Sequence, residues 1–556
     1  MRLPELSHAP KVIERVLCGS KGVLAGDREG GEVIFAENMD LAAMPTLRPR
    51  TARTRLGSIP GDVLQFFCNG ECVVLITRTE GAYAAVIWLP KAEQTVAIEL
   101  PEPREDAFLY AHAWRKGCLY LPAFNCFIDT ELCLLYRTDH PLSGGDALIE
   151  HDEELIALQR HIVYFKSEHL NEYRVGDRVK IEYNYFEKLD RITAFLRIVA
   201  IDPESGAVTL EGEGAIKLIY AETESVSMCY DVPIMNGIFG DPERLYGFCR
   251  NKIYVSAKDS SLVRFTPLDG SDTQLDAREL DLSAEITGGC MYRGRPIFFT
   301  DGAAITLEED SELGLRVSII PTVGVTPRAV TSPAAIGGKV CYFSRYGLTV
   351  FDGKQGRVVR TGLGVPARGG AVADGRFYSF VATREGEEPA LYAYDAEGDL
   401  LYCLGDATES DISFALGGVL VGSAANGEGG SDLILFADGE SLPYPITDMV
   451  ESGVLSLREG LPFESSITLG EVRNPDGSFG PFSLVLDASL GEGGSIELSL
   501  FYEGEEQPAR SFSLAGKQAR RRFSFPLYPR RCRGYHVRLC GKGEFAVFGL
   551  SAMRRA

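Results

Sequence analysis

Histidine is the residue to examine first for chemistry, because its imidazole serves both acid–base catalysis and metal binding near neutral pH. The chain has seven, at positions 8, 112, 140, 151, 161, 169 and 536, mostly in polar or linker-like stretches. No Gly-x-Ser-x-Gly motif supplies a nucleophile for any of them. His151 precedes three acids, which is more typical of a solvated linker than of a metal site. We therefore predict no catalytic residue and no enzymatic activity.

Other ligand-binding patterns are equally weak. No Gly-x-x-x-x-Gly-Lys-Ser/Thr loop is present to cradle a phosphate. Cys68 and Cys72 form the closest pair among 13 cysteines, but no second pair follows at zinc-finger spacing. We predict a hairpin there, with reduced and mostly buried thiols, and no metal or cofactor site. Paired carboxylates for glycoside hydrolysis stay open, since 78 acids offer many pairs and the sequence singles out none.

Two arginine-rich stretches give a sharper signal. TLRPRTARTR, at residues 46–55, is expected to be extended because its proline disfavours a helix, and guanidinium groups suit carboxylate or phosphate partners. RRRFSFPLYPRRCRGYHVRL, at residues 520–539, alternates arginine with apolar residues and predicts a sheet with one cationic face. The candidate interface residues are Arg48, Arg50, Arg53, Arg55, Arg521, Arg522, Arg530, Arg531, Arg533 and Arg538.

The charge distribution bears on whether these arginines bind nucleic acid or an acidic protein surface. The net charge is −22, yet residues 510–556 contain 12 Lys or Arg and one acid, which leaves −33 for the rest. Binding a phosphate backbone needs a basic surface, so an acidic body does not favour nucleic acid. Nucleic-acid contact stays open, but we favour an interface with acidic neighbours, including another copy of the chain.

The elements that carry these residues are short strands in a repeated plan. NKIYVSAKDSSLVRFTPLDG (residues 251–270) and GKVCYFSRYGLTVFDGKQGRVV (residues 338–359) each alternate apolar and polar residues around turns. Looser copies recur every 40 to 50 residues or so between positions 69 and 444, with Asp-Gly or Glu-Gly turns. Because one such sheet cannot bury both of its faces, we predict an all-β fold with a β-propeller of about seven blades.

Two regions interrupt the repeat. Residues 160–220 predict a small β-barrel inserted into the propeller, and residues 454–556 predict a C-terminal β-sandwich with longer strands. The expected domains are an N-terminal arm with the first strands (1–56), propeller (57–159), barrel (160–220), propeller (221–453) and sandwich (454–556).

The sequence has no apolar run of membrane-spanning length and no signal-peptide pattern, so we expect folding in a cytoplasm.

Three segments resemble a known family. MPTLRPRTARTRLGS (residues 44–58) is similar to an Arg-Pro motif that precedes the propeller in many tailed-phage and prophage virion proteins, although Arg50 stands where their motif often continues with glycine. YRVGDRVKI (residues 173–181) resembles a strand of their inserted barrel. FPLYPRRCRGYHVRLCGKGEFAVFGLSAMRR (residues 525–555) resembles their closing strands. The family that these segments resemble is that of the tail-nozzle, or packaged-DNA-stabilisation, proteins of short-tailed phages and related propeller proteins of other tailed phages.

The resemblance implies a structural role in the virion. Such proteins form a ring, often six-fold, below the portal and its adaptor and keep the packaged genome in. The partners implied are further copies of the chain, portal, adaptor and other tail proteins, and DNA that passes without sequence-specific binding or membrane insertion. The expected location is the virion tail, after assembly in the cytoplasm of a bacterial host.

Two other functions remain open from the residues alone. A propeller can be a binding module for a cell-surface glycan or receptor, although Trp88 and Trp114 both lie within apolar strands rather than on an exposed platform. A propeller glycoside hydrolase would need acids converging at the mouth of the propeller.

Overall fold

The computed structural model describes most of the chain. The described residues are 11–15, 33–37, 48, 54–92, 94–144, 149–150, 160–184, 191–212, 226–258, 263–267, 276–310, 314–327, 333–360, 372–374, 377–383, 389–397, 400–406, 411–416, 419–426, 429–435, 442–458, 464–469, 472–473 and 479–555. Within these residues, no helix combines the length and apolar character needed to cross a membrane.

The predicted propeller is confirmed, with seven antiparallel blades arranged in a ring. Blade 1 contains Asp62–Cys68, Val73–Thr79, Ala82–Leu89 and Gln94–Leu100. Blade 2 contains Ala113–Arg115, Cys118–Leu121, Cys126–Asp129 and Leu134–Arg137. Blade 3 contains Gly237–Gly240, Leu245–Cys249, Lys252–Val255 and Arg278–Asp281. Blade 4 contains Gly288–Tyr292, Arg295–Phe299, Ala303–Asp310 and Gly314–Pro321.

The remaining blades follow the same order from the axis outward. Blade 5 contains Ala334–Ile336, Lys339–Ser344, Gly347–Phe351 and Gly356–Arg360. Blade 6 contains Val372–Asp374, Phe377–Ala382, Ala390–Asp395 and Leu400–Asp406. Blade 7 contains Asp411–Leu416, Val419–Ala425, Gly430–Leu435 and Thr54–Pro60. The first strands of successive blades from 2 to 7 contact one another around the axis, and blade 7 contacts blade 1. Blades 1 and 2 share one buried apolar cluster.

Burial of both sheet faces explains the composition of the blades. In blade 5, Lys339–Ser344 has five buried residues after its first position, and all five residues of Gly347–Phe351 are buried. A blade stacked between two others has no solvent face, so its middle strands are apolar on both sides. The Asp-Gly turn that follows keeps Gly353 at a φ of 99°, where other residues would be strained.

The ring is closed by a strand from far earlier in the chain. Thr54–Pro60 pairs antiparallel with Gly430–Leu435, so that Leu56 lies opposite Leu433, and both side chains are fully buried. Ser456–Arg458 pairs with the other edge of Thr54–Pro60, after the short helix Ile446–Glu451. Blade 7 is therefore completed by the N-terminal part of the chain.

A curved seven-stranded sheet is inserted between blades 2 and 3. In spatial order its strands are Leu142–Gly144, Val226–Cys229, Arg178–Asn184, Arg191–Asp202, Ala207–Glu211, Arg160–Tyr164 and Ile149–Glu150. One buried cluster joins residues from both ends of this order, including Leu142 and Val163. The sheet therefore curls around a single core as a partly open barrel, which we call the insert.

The C-terminal β-sandwich consists of two sheets that share one core. The first sandwich sheet contains Lys11–Arg15, Phe545–Arg555, Ser483–Leu490 and Gln518–Pro526 in spatial order. The second continues the sheet of blade 6, because Val33–Glu37 pairs with Leu400–Asp406. Its strands are Val33–Glu37, Glu464–Leu469, Gly534–Lys542, Ser495–Tyr502 and Arg510–Ala515, with Val472–Arg473 also on Gly534–Lys542. Leu484 and Leu486 of the first sheet pack in one cluster with Leu498 and Val537 of the second.

The observed boundaries differ from the predicted ones at both ends of the chain. Lys11–Arg15 and Val33–Glu37 belong to the sandwich, and Thr54–Pro60 belongs to the propeller, whereas residues 1–56 were predicted as one arm. The insert extends beyond 160–220, because Leu142–Gly144 and Val226–Cys229 pair with each other at its edge. Pairing between distant strands sets these boundaries, and sequence periodicity contains no information about it.

Candidate functional site

An exposed basic and aromatic surface lies where the chain crosses from one sandwich sheet to the other. The crossing joins Gln518–Pro526 to Gly534–Lys542. We call this the crossover surface. It consists of Phe479, Tyr528, Arg530, Arg531 and Arg533, all of which are exposed, and Tyr528 has 86% of its surface accessible.

The backbone of the crossover surface is held at several points. Leu527 is buried, and its N–H donates to the carbonyl of Phe482 over 2.8 Å. The N–H of Gly480 donates to the carbonyl of Arg530 over 2.7 Å. A side chain at position 480 would meet the Cys532 sulfur at 3.0 Å, so glycine permits this approach. Backbone hydrogen bonds and the buried Leu527 therefore hold this segment in place, while the side chains of the crossover surface face solvent.

The arginines of this surface are arranged with aromatic rings. The Arg531 guanidinium lies 5.5 Å from the centre of the Phe479 ring, and that of Arg530 lies 5.4 Å from the centre of the Tyr502 ring. Arg530 also donates to Glu505 over 2.6 Å. Arginine and aromatic side chains are enriched in protein interfaces, and guanidinium binds carboxylates through paired hydrogen bonds. The crossover surface is thus chemically suited to an acidic protein partner.

The other predicted arginines do not form one cationic face. Arg522 lies opposite Asp487 on the outer side of the first sandwich sheet. Arg521 lies opposite the buried Ala488, on the core side, with its guanidinium 4.7 Å from the Phe523 ring centre. Arg538 is on the second sandwich sheet and is exposed. The prediction of a single cationic face is wrong, because consecutive residues point to opposite sides and the strands belong to different sheets.

The N-terminal arginines divide in a similar way. Arg48 is exposed, and Arg50 and Arg53 lie outside the described residues. Arg55 lies in the strand that closes the ring, with its guanidinium 3.3 Å from the carboxylate of Asp432. That carboxylate is almost fully buried, so Arg55 neutralises a charge inside blade 7.

A second candidate site is a cavity of about 640 Å³ among the inner strands of blades 2, 3 and 4. We call it the axial cavity; its lining includes Phe108, Tyr110, His112, Trp114, Arg115 and Asp241. The rings of Phe108 and Tyr110 are stacked with their centres 5.3 Å apart. Aromatic walls with a few polar groups are typical of small-molecule pockets.

Burial controls the protonation of the groups around the axial cavity. It raises the pKa of Tyr110, whose hydroxyl has no hydrogen-bond partner among the described residues, and it lowers the pKa of His112. His112 is therefore neutral at pH 7, and its Nδ1–H donates to the Tyr110 carbonyl over 3.0 Å. Arg115 is tied to blade 3, because its guanidinium donates to the Ser256 hydroxyl over 2.9 Å and to two carbonyls. These groups form a neutral, hydrogen-bonding wall with one anchored cation.

Sequence reasoning found some functional groups and missed others. The hairpin expected at Cys68 and Cys72 is confirmed, and burial raises the pKa of Cys72 to about 11, so its thiol stays protonated at neutral pH. The acids after His151 lie outside the described residues.

The histidines at 140 and 169 come together with Glu172, although 29 positions separate the two histidines in the sequence. Only the His-x-x-Glu spacing of His169 and Glu172 hinted at this group.

Comparison with known proteins gives likeness of fold alone. No protein-family model matches the sequence, and no curated protein matches it significantly. The structure of U3-55K is 8% identical over 69% of this chain and 98% of that chain, with a TM-score of 0.31. The β-propeller domain of the Trilobed protease from Pyrococcus furiosus is 12% identical over 69% of this chain and 100% of that chain, also with a TM-score of 0.31.

A solved structure that covers more of the chain is no more similar. Trypanosoma rangeli sialidase is 9% identical over 99% of this chain and 97% of that chain, with a TM-score of 0.24. Likenesses this distant identify no activity or partner. The sheet order and the closure of the ring themselves establish that the chain is a seven-bladed β-propeller with an insert and a sandwich.

Proposed function

We propose that the protein is a structural component of a tailed-phage virion, forming a ring in the tail or head-to-tail region that retains and conducts the genome. The observation that carries the proposal is the segment at residues 525–555, which resembles the closing strands of tail-nozzle proteins and contains all of the crossover surface except Phe479. The proposed role is one of assembly, and no step in it requires catalysis or a cofactor.

Charge complementarity supports contact between copies of the chain. The crossover surface presents three exposed arginines, whereas the chain outside residues 510–556 has a net charge of −33. A basic surface on one copy therefore meets an acidic neighbour with favourable electrostatics. In the assembled ring, the acidic body would repel DNA phosphates and let the genome slide through without adhering.

The proposal is tested by the mass of the full chain in solution, measured by light scattering, alone and with portal and adaptor proteins. We expect a ring of about six copies, either alone or once the adaptor is present. Replacing Arg531 and Arg533 together by glutamate should abolish the ring, because like charges would then face each other. Arg345→Glu, an exposed position on blade 5, is the matched control and should leave assembly unchanged. A monomer under every condition would refute the ring.

The axial cavity favours a second candidate, a propeller that binds a small ligand such as a glycan. The stacked Phe108 and Tyr110 rings supply an aromatic wall, and the neutral His112 lies beside it. Sugars bind proteins through apolar ring faces combined with hydrogen bonds, so this lining suits such a ligand. A glycan screen with the full chain separates the two candidates, since a ring-forming protein with no glycan bound supports the structural role.

A further inference from the structure

Two histidines and a glutamate converge where the insert meets blade 2. His140 follows Leu134–Arg137, the outer strand of blade 2, whereas His169 and Glu172 lie on the 3₁₀ helix Glu168–Glu172 of the insert. The Nδ1 atoms of His140 and His169 each lie 2.9 Å from Oε1 of Glu172. All three ligand atoms lie within 4.8 Å of one another.

The backbone around these three residues is held in place. The hydroxyl of Tyr173 donates to the carbonyl of His140 over 3.0 Å, which links the insert to blade 2. The side chain of Ser167 accepts from the N–H of His169 over 3.2 Å and caps the 3₁₀ helix. The imidazole rings lie with their centres 4.0 Å apart. The three side chains are therefore positioned by elements of both modules before any ligand arrives.

The three side chains form a ligand set that zinc commonly uses. Two imidazole nitrogens and one carboxylate oxygen bind Zn²⁺ at about 2.0–2.2 Å, which places tetrahedral ligand atoms about 3.3 Å apart. The two nitrogen–oxygen separations of 2.9 Å need to widen by only a few tenths of an ångström, and the two imidazole ligand nitrogens lie within 4.8 Å of each other. About a quarter of the His140 and Glu172 side chains and a third of the His169 side chain are accessible, so an ion and a water ligand can enter.

We propose that His140, His169 and Glu172 bind one divalent transition-metal ion of the zinc type, which fastens the insert to blade 2. The inference does not depend on the ring-forming role, because it rests on this cluster alone. The metal replaces the hydrogen bonds that the two imidazoles make with Glu172. A fourth coordination position is left for water or for a group from a partner.

The neighbouring charges predict how binding can be tuned. Arg137 donates to Nε2 of His140 over 3.2 Å and also binds Asp139 through two hydrogen bonds. Metal binding at Nδ1 requires the proton of His140 to sit on Nε2. That N–H would then face the N–H donor of Arg137, and the two donors would repel each other. Asp139 lies 4.0 Å from that Nε2 and is the natural acceptor once Arg137 is removed.

The test is titration of the full-length, chelator-treated protein with Zn²⁺ by calorimetry and with Co²⁺ by visible absorption. We expect one equivalent of tight binding, with cobalt ligand-field bands but no thiolate-to-cobalt charge transfer. The cobalt spectrum matters because the chain has 13 cysteines, and thiolate ligation would reveal a different site. Zinc should also raise the melting temperature of the protein, since it binds the folded state.

Variants at the cluster should change the zinc affinity in opposite directions. Glu172→Gln keeps the size of the side chain, and His169→Ala removes one ligand, so each should weaken zinc binding at least tenfold. Arg137→Ala should strengthen it several-fold, because Asp139 can then accept from His140. His536→Ala is the control, because His536 lies on the sandwich, stacked on Phe501, and its loss should leave binding unchanged.

The opposite signs keep the proposal falsifiable even if one variant folds poorly. Absence of a stoichiometric site in the wild-type chain overturns it, as does unchanged affinity in both Glu172→Gln and His169→Ala. A cobalt spectrum dominated by thiolate charge transfer also overturns it, because the metal would then be bound by cysteines.

Discussion

Blades 5 and 7 have the same four-stranded plan but draw their strands from the chain in different ways. All four strands of blade 5 lie between Ala334 and Arg360, each joined to the next by a short turn. Blade 7 takes three strands from residues 411–435 and its fourth from Thr54–Pro60. One blade is therefore local in sequence, whereas the other joins parts of the chain that lie more than 350 positions apart.

The interiors of the two blades reflect this difference. Blade 5 is held by an apolar cluster that contains Leu348, and its outer turn is ordered by the side chain of Asp352. Blade 7 also contains an apolar cluster, which includes Leu56, but places the buried ion pair of Arg55 and Asp432 across the joint between its distant strands. Such a pair makes mismatched closure costly, because the almost fully buried Asp432 carboxylate would then lack its cation. The long-range joint is thus specified by charge as well as by shape.

The largest expected loss of stability comes from truncating the apolar side chain that packs the ring-closing strand into blade 7. Leu56→Ala should destabilise the fold by about 2–5 kcal/mol, because it removes buried methyl groups and leaves a cavity. Amide hydrogen exchange, read by mass spectrometry, should accelerate in residues 54–60, 430–435 and 456–458.

Leu348→Ala is the matched change in blade 5, since that side chain is also fully buried in a middle strand. We expect its faster exchange to stay within residues 334–360 and the adjoining faces of blades 4 and 6. Faster exchange at the ring joint in Leu348→Ala, or none there in Leu56→Ala, would contradict the distinction between local and long-range blades.

The ion pair should have the next largest effect. Arg55→Ala leaves the Asp432 carboxylate buried without its cation, and since Arg55 is itself a quarter exposed we expect a loss near the lower limit, about 3 kcal/mol. The comparison is Arg78→Ala in blade 1, whose pair with Asp62 spans 3.0 Å but is about half exposed on each side. That pair should contribute less than about 1 kcal/mol.

Urea titration measures the free-energy cost of each change, with hydrogen exchange monitored in blade 7 for Arg55→Ala and in blade 1 for Arg78→Ala. The double variant with Arg55 and Asp432 both replaced by alanine should lose less stability than the sum of the single variants, because neither charge is then left alone. Equal costs for Arg55→Ala and Arg78→Ala would show that the buried pair has no special part in closure.

The smallest effect concerns the local turn of blade 5 and depends on pH. The Asp352 carboxylate accepts from the N–H groups of Gln355 and Lys354 over 2.9 and 2.8 Å, and these bonds lower its pKa. Because the folded pKa lies below the unfolded one, the stabilisation is complete above about pH 4 and disappears as pH falls through the folded value.

Asp352→Ala should therefore speed exchange at residues 354 and 355 only a few-fold at pH 7. The difference from the wild-type chain, expressed as protection factors, should shrink as pH falls below about 4 and vanish once the carboxyl of the folded chain is protonated. A difference that does not shrink with falling pH would mean that the turn is held by something other than the ionised carboxylate.

The contrast between the blades also explains how much of the fold the sequence could predict. Blade 5 is visible as alternating strands around an Asp-Gly turn, and all seven predicted units fall on blades of the structure. The pairing of Thr54–Pro60 with Gly430–Leu435, and of Lys11–Arg15 with Phe545–Arg555, was not predictable. Local hydrophobic periodicity specifies that a strand exists but not which distant strand it joins.

The same limit applies to the candidate sites. Arg530, Arg531 and Arg533 were found from sequence because they are consecutive or nearly so and remain together in one exposed segment. The cluster of His140, His169 and Glu172 was missed because a fold-level contact between blade 2 and the insert brings it together. Its residues come from two modules, and neither segment alone has the spacing of a metal site.

Closure of blade 7 by an early strand sets an order of events during synthesis on the ribosome. The strand Thr54–Pro60 emerges long before Gly430–Leu435, and the 381 residues between positions 54 and 435 take roughly 20 to 80 seconds to translate at about 5 to 20 residues per second. Through that interval the growing chain can complete blades 1 to 6 but not the ring or the sandwich. Chains interrupted before blade 7 therefore lack both the closed ring and the complete sandwich.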